Sequence, residues 1–280
     1  WGDLGVEQLA EYIQNTHPDL KGYNKRNLYR MRQFYETYRD IQIVSPLLSQ
    51  ISWSHHLLII SKSKTPQERE FYLKLAIKER YSKRELERQI NSGFYERSII
   101  SNKKIFPVAR ELIPNLNNVF KETYILEFLN LPELFDESDL RKSLIFNFKK
   151  FILELGKDFT FVGEEYRLQV GKNDYFIDLL FYHRELRCLV AFELKIDDFK
   201  PEYIGKMNFY LEALDREVKK EHENPSVGII LCKSKDTEVV EYALKRTMSP
   251  ALISEYKTKL IPKKVLQQKM HEFFNLKKEG

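Results

Sequence analysis

Asp174-Tyr-Phe-Ile-Asp178-Leu-Leu-Phe-Tyr-His183-Arg-Glu-Leu-Arg187-Cys-Leu-Val-Ala-Phe-Glu193-Leu-Lys195 is the stretch that decides the fold. Two apolar runs, 175–182 and 187–195, flank a polar turn at His183–Leu186, the pattern of two strands joined as a hairpin. Inside the runs stand two acids and a lysine: Asp178, Glu193 and Lys195. Burying such groups is costly unless they are paired or hold something. Side chains alternate along a strand, so Asp178 shares a face with Phe176, Leu180 and Tyr182, and Glu193 with Ala191 and Lys195. With an even-numbered turn, directly opposed residues have an odd index sum, which the pair 178 and 193 satisfies. Asp178, Glu193 and Lys195 are therefore expected on one side, the two acidic Cβ atoms about 5–8 Å apart. One Mg²⁺, with ligands at about 2.0–2.1 Å, spans such a gap.

The constellation suits metal-assisted phosphodiester hydrolysis. Asp178 and Glu193 are the expected metal ligands and the Leu194 carbonyl an additional one, with Mg²⁺ as the ion and Mn²⁺ as a substitute. Lys195 is expected to orient the attacking water or neutralise charge on the phosphate. A further acid is expected from the preceding strand, where Glu164 and Glu165 are both candidates. The plain alternative is an Asp–Lys ion pair on an exposed sheet face, against which stands the apolar setting of all three groups. Other chemistry finds little support. Adjacent His55 and His56 face different ways and suit packing or capping better than metal binding, and no Ser-His-Asp motif, Cys-His motif or Gly-rich phosphate loop is visible.

With 280 residues, the chain has room for one large domain or two ordinary ones, and 42% hydrophobic content supplies a core. No apolar run approaches the roughly 18 residues that suggest a membrane span, and the opening Trp1-Gly-Asp-Leu-Gly-Val-Glu does not read as a signal peptide. Cys188 and Cys232 sit in apolar runs and are expected to be free buried thiols, in keeping with a reducing cytoplasm. The net charge of +5 is uneven: residues 21–104 carry 18 basic and 8 acidic groups, whereas residues 131–280 carry 26 of each. A basic block ahead of a neutral one fits a polyanion-binding module joined to a separate domain, and a solvated helical surface is the bland account.

Residues 1–130 read as a basic helical domain ending in a connector over 101–136, which includes a short apolar helix at Tyr124–Leu129. Thr65-Pro-Gln-Glu68 and Ser82-Lys-Arg-Glu85 are capping boxes that open two successive helices, compatible with a helix-turn-helix. Lys25, Arg26, Arg30, Lys83 and Arg84 are the candidate phosphate contacts of this half. Residues 131–280 read as helix 138–155, three strands, helix 204–215, a buried strand at 226–232, helix 236–244 and a closing strand and helix. That order is a mixed-sheet α/β domain.

Several runs together resemble the YhcG-type family, which joins an N-terminal helical domain to a PD-(D/E)xK nuclease domain. They are Tyr23-Asn-Lys-Arg-Asn-Leu-Tyr-Arg-Met-Arg-Gln-Phe-Tyr35, Ser52-Trp-Ser-His-His-Leu57, Arg69-Glu-Phe-Tyr72 and Ser82-Lys-Arg-Glu-Leu-Glu-Arg-Gln-Ile90. In the second half they are Ile177-Asp-Leu-Leu-Phe-Tyr-His183, Phe199-Lys-Pro-Glu-Tyr203 and Gly228-Ile-Ile-Leu-Cys-Lys233. The resemblance implies a restriction-endonuclease-like core, Mg²⁺ dependence and a DNA substrate. It also suggests mobile-element or restriction-modification settings, with a homo-oligomer or a restriction-modification protein as partner. Three departures stand out. Ile177 takes the place of the proline before Asp178, Arg141 stands where relatives often carry a glutamate, and Lys206 replaces a glutamine after the glycine. Lys206 and Tyr210 are read as nucleic-acid contacts. The leading expectation is a Mg²⁺-dependent DNA endonuclease. Its rivals are a DNA-binding or scaffold protein with a degenerate nuclease core, and an RNA nuclease.

Overall fold

The computed structural model describes residues 3–39, 45–100, 119–245, 247 and 249–276, so residues 101–118 of the expected connector lie outside the described residues. The chain forms two compact units, Trp1–Tyr95 and Glu96–Gly280.

The first unit is helical, with helices Asp3–Thr16, Lys25–Tyr38, Ser45–Leu48, Trp53–Lys62, Pro66–Glu79 and Lys83–Asn91. Asn24, Thr65 and Ser82 cap three of them, each side-chain oxygen accepting a backbone N–H three residues on. The two expected capping boxes are closed differently from the reading. The Glu68 carboxylate accepts from the Lys64 amide, and Glu85 turns to Arg88 and Gln89 on its own helix. Leu58, Ile59, Tyr72, Leu73, Leu86 and Ile90 build the core. His55 and His56 are absorbed by packing: their Nε2–H groups donate to the carbonyls of Tyr81 and Leu48 at 2.9 and 2.8 Å.

The second unit is a six-stranded mixed sheet. Its strands are β1 (Thr123–Ile125), β2 (Phe159–Val170), β3 (Asn173–His183), β4 (Cys188–Leu194), β5 (Val227–Cys232) and β6 (Ala251–Lys257), in the order β1-β6-β5-β4-β3-β2. β1, β6, β5 and β4 run parallel, and β3 and β2 are antiparallel additions. Helices cover both faces. Leu140, Leu144, Phe151 and Leu155 pack on Phe181, Val190, Phe192 and Ile229 on one side. From the helix Tyr203–Glu217, Ile204, Met207, Leu211 and Leu214 pack on Leu180, Ala191, Ile230 and Ile253 on the other. Burial on both faces is why β4 and β5 read as continuous apolar runs. Cys188 and Cys232 are free and buried, and burial pushes both thiols up to about 12.

Two expectations need correction. The helix read over 138–155 is two helices, Glu137–Phe146 and Phe148–Leu155, broken at Asn147. The Asn147 side-chain amide donates to the Ser143 carbonyl at 3.1 Å, the backbone competition that makes asparagine a poor helix interior. The segment Tyr124–Leu129 is not a helix, and it does not belong with the helical half that the reading closes at 130. Thr123–Ile125 pairs with Glu255–Lys257, Glu127–Leu129 forms a 3-10 turn, and Tyr124, Leu126 and Phe128 enter the sheet's core. The partner strand lies some 130 residues on in sequence, beyond the reach of local pattern.

Gly228 on β5 fixes how closely the helix Tyr203–Glu217 approaches the sheet. A Cβ there would collide with Sδ and Cγ of buried Met207, the neighbour of Lys206. Gly228→Ala is expected to lower stability by about 1–3 kcal/mol through overpacking, read as a drop in the urea midpoint with an unchanged m-value.

Candidate active site

β3 and β4 pair from His183↔Cys188 to Leu179↔Phe192, a register whose next opposed pair is Asp178 and Glu193. At that step the strands part. β3 runs on to Asn173 paired with β2, and β4 runs on to Leu194 paired with β5. The Asp178 carboxylate fills the opening, its Oδ2 accepting the Leu194 backbone N–H at 2.8 Å. On the far side of β3 the ladder pairs Glu164 with Leu179 and Tyr166 with Ile177, leaving Glu165 level with Asp178. Glu165 has φ of 45°, a left-handed backbone unusual for a glutamate.

Glu193 is the buried member, 2% exposed. Its Oε1 lies 2.5 Å from Lys206 Nζ and 3.2 Å from Lys195 Nζ. Its Oε2 is buried with no hydrogen-bond partner among the described residues. Burial pushes the Glu193 carboxyl above the ordinary carboxylate range, the Asp178 charge adds to this, and Lys206 and Lys195 counter part of it. Burial alone would lower Lys195, but pairing with Glu137 and Glu193 outweighs it and raises its pKa. Lys206 is raised in the same way by Glu193.

Two residues reach the opening from one helix face. Asp136 and Asp139 close a capping box that starts the helix Glu137–Phe146. Glu137 and Arg141, four residues apart, then project together. Both Glu137 carboxylate oxygens accept from Lys195 Nζ, at 2.9 and 3.0 Å. The Arg141 guanidinium bridges Asp178 Oδ1 at 3.2 Å and Glu165 Oε1 at 2.8 Å.

The structure thus gathers Asp178, Glu193, Lys195, Lys206 and, through Arg141, Glu165. Glu164 is exposed and pairs through its backbone with Leu179. Tyr210, read as a nucleic-acid contact, is only 3% exposed, and its hydroxyl donates to the Phe176 carbonyl at 2.7 Å. With Lys206 Nζ 5.3 Å from its ring centre, Tyr210 buttresses Lys206. Lys25, Arg26, Arg30, Lys83 and Arg84 belong to the first unit: Lys25 pairs with Glu7, Arg30 contacts Asn27, and Arg26, Lys83 and Arg84 are exposed. Glu137 escaped the sequence reading. Its signal was position, one turn before Arg141 on the same helix face.

The donor set is one of hard oxygens. Asp178 and Glu193 offer carboxylates, one with an orphaned buried oxygen, and among the described residues no group of three or more His, Cys, Asp or Glu side chains is placed to hold an ion. Two carboxylates without nitrogen or sulfur donors fit a hard divalent cation that completes its shell with water and phosphate.

A family model described as "YhcG PDDEXK nuclease domain" matches residues 117–271, and a model of the DUF1016 N-terminal domain matches residues 1–97. The candidate nuclease YhcG of Escherichia coli (strain K12) is 31% identical over 309 aligned positions, which cover 96% of this chain and 82% of that protein. The chain belongs to the YhcG family. It carries a nuclease domain of the PDDEXK type behind the family's helical N-terminal domain. Among solved structures, a repair endonuclease from Pyrococcus abyssi overlays with a TM-score of 0.30 at 16% identity, covering 47% of this chain and 50% of that one. An EndoMS–dsDNA complex overlays at 0.32, also at 16% identity, covering 46% and 50%. Those overlaps span about half of each chain, and the family assignment rests on the sequence matches. No helix among the described residues is long and apolar enough to cross a membrane.

Within this YhcG-family site, Glu137 is one of the two acids that raise the Lys195 pKa against the effect of burial. Glu137→Gln leaves Lys195 with Glu193 as its acidic partner, so the lysine amine is expected to titrate at lower pH than in the wild type. NMR of ¹³C-labelled lysine ε-carbons reads that shift, and an unchanged or higher Lys195 pKa would contradict the assignment.

Proposed function

We propose that this protein is a Mg²⁺-dependent DNA endonuclease, with the sheet opening as its catalytic centre and the basic helical unit as a DNA contact. The observation that carries the reading is the buried, unpartnered Glu193 Oε2 beside Asp178 and Lys195. A buried carboxylate oxygen without a partner is costly, and a divalent cation resolves that cost. Asp178 and Glu193 would hold the ion, with the Leu194 carbonyl as a further oxygen. Bound there, Mg²⁺ would supply an activated water and charge stabilisation at the scissile phosphate. Lys195 presents a cation to the phosphate, aimed by its two hydrogen bonds to Glu137. Lys206, half-exposed, offers a second cation at the rim. DNA as the substrate is supported by the basic excess of residues 21–104 and by the exposure of Arg26, Lys83 and Arg84. A homo-oligomer, or a restriction-modification or mobile-element setting, belongs to the same reading and rests on family resemblance.

Purified protein is expected to cleave plasmid or branched DNA in Mg²⁺ or Mn²⁺ and to stop in EDTA. Asp178→Asn and Lys195→Ala should each reduce cleavage by about 100-fold or more, as loss of one transition-state stabilising group does. Cleavage equal to wild type in both variants would end the nuclease reading of this site. Matched RNA substrates, cut faster than DNA, would move the proposal to an RNA nuclease.

The helical unit is tested separately by binding in EDTA. Reversing Arg26, Arg30 and Lys83 to glutamate should weaken DNA affinity and reduce the slope of log K against log salt by about one per lost phosphate contact. Unchanged affinity and slope would make this face a solvated surface.

A further inference from the structure

We infer that Arg141 is a resident cation competing with the divalent metal for Asp178, so that the chain takes up its ion only as the guanidinium is displaced. The inference rests on the reading of Asp178 and Glu193 as metal-holding carboxylates.

The two carboxylates differ in what an incoming ion must undo. Glu193 keeps Oε2 without a partner, and Lys206 and Lys195 both contact its other oxygen. An ion reaching Glu193 Oε2 breaks no contact. Asp178 has both oxygens engaged: Oδ2 with the Leu194 amide, Oδ1 with Arg141. The amide belongs to the β4 backbone and cannot withdraw without opening the sheet. Arg141 sits on a side chain and can. A guanidinium and a divalent cation on one carboxylate oxygen repel each other strongly in a half-buried site. Coordination at Oδ1 therefore needs Arg141 to move off Asp178, and at Oδ2 the adjacent guanidinium charge still opposes the ion.

The structure also supplies the place for it to go. The guanidinium is already bonded to Glu165, whose side chain is 61% exposed. Glu165 can swing outward and keep its ion pair while Asp178 is released. A planar fork spanning two carboxylates is a geometry that lysine does not reproduce. Arg141 is thus a positioning residue that sets how readily the site accepts metal, rather than a group acting on the reacting atoms.

Metal binding itself tests this, without nucleic acid and without turnover. Mn²⁺ is titrated into the full chain and bound ion is measured by calorimetry and by electron paramagnetic resonance of free Mn²⁺. The proteins are wild type, Arg141→Gln, Arg141→Lys and Asp178→Asn, with circular dichroism melts to show that each is folded. Arg141→Gln is expected to bind Mn²⁺ about tenfold tighter, because removal of the competing charge is felt at contact distance. Arg141→Lys should fall between it and the wild type, and decides the question alone if the glutamine variant does not fold. Asp178→Asn should bind much more weakly. Arginine variants that bind no tighter than wild type, with Asp178→Asn still weakened, overturn the role of Arg141 and leave the metal reading standing. Equal binding by Asp178→Asn and wild type overturns both.

Discussion

The Leu194 amide donating to the Asp178 carboxylate marks the place where β3 leaves β4. That backbone-to-side-chain bond replaces the ladder bond lost at the parting, and so lets the sheet open without orphaning a buried N–H. Without the opening, Asp178 and Glu193 would be two like charges facing each other on a closed sheet. With it, they join a charged cluster that includes a buried carboxylate oxygen without a partner among the described residues. The register that sets this up is held by apolar packing. Phe181 packs edge-on against Phe151 and Phe192, and Phe159 and Phe161 pack against Phe181. A slip of one residue would turn these rings away from the core and move the acids to the other face.

Charge in the site is arranged in pairs. Glu193 meets Lys206 and Lys195, Lys195 meets Glu137, and Asp178 and Glu165 share Arg141. Such a network does not by itself argue for stability, since desolvation of its members offsets much of the Coulomb gain. Its unfinished parts are more informative. One oxygen of Glu193 has no partner among the described residues, its carboxyl is pushed upward by burial, and Glu165 adopts a left-handed backbone. Departures from the rules of satisfied polar groups and relaxed backbone cluster at functional sites.

Most of the fold was legible because it is written in local terms. The apolar runs at 175–182, 187–195 and 227–232 and the caps at Asn24, Thr65 and Ser82 are short-range patterns that their own residues enforce. The same holds for part of the candidate site: strand parity puts Asp178 and Glu193 on one face, and the register, continued one step past Leu179↔Phe192, makes them the next opposed pair. Local terms failed at Asn147, where a side-chain bond to the backbone divides an otherwise apolar helix, and at Tyr124, whose segment looks helical in isolation. Tyr210 shows the same failure in the site: an aromatic near a lysine reads as a ligand contact until packing shows that it is buried.

The sequence by itself determined the family, the strand hairpin and the shared face of its two acids, because each follows from residue identity at fixed spacing along short stretches of chain. Tertiary structure decided the rest of the site. Only the fold brings the Glu137–Phe146 helix against the end of β4, so only there do Glu137 and Lys195 become partners. Only there does Arg141, distant in sequence from both Glu165 and Asp178, lie between them. Electrostatic partnership depends on distance through space. No spacing along the chain encodes which of several cations will meet a given carboxylate once the sheet has opened.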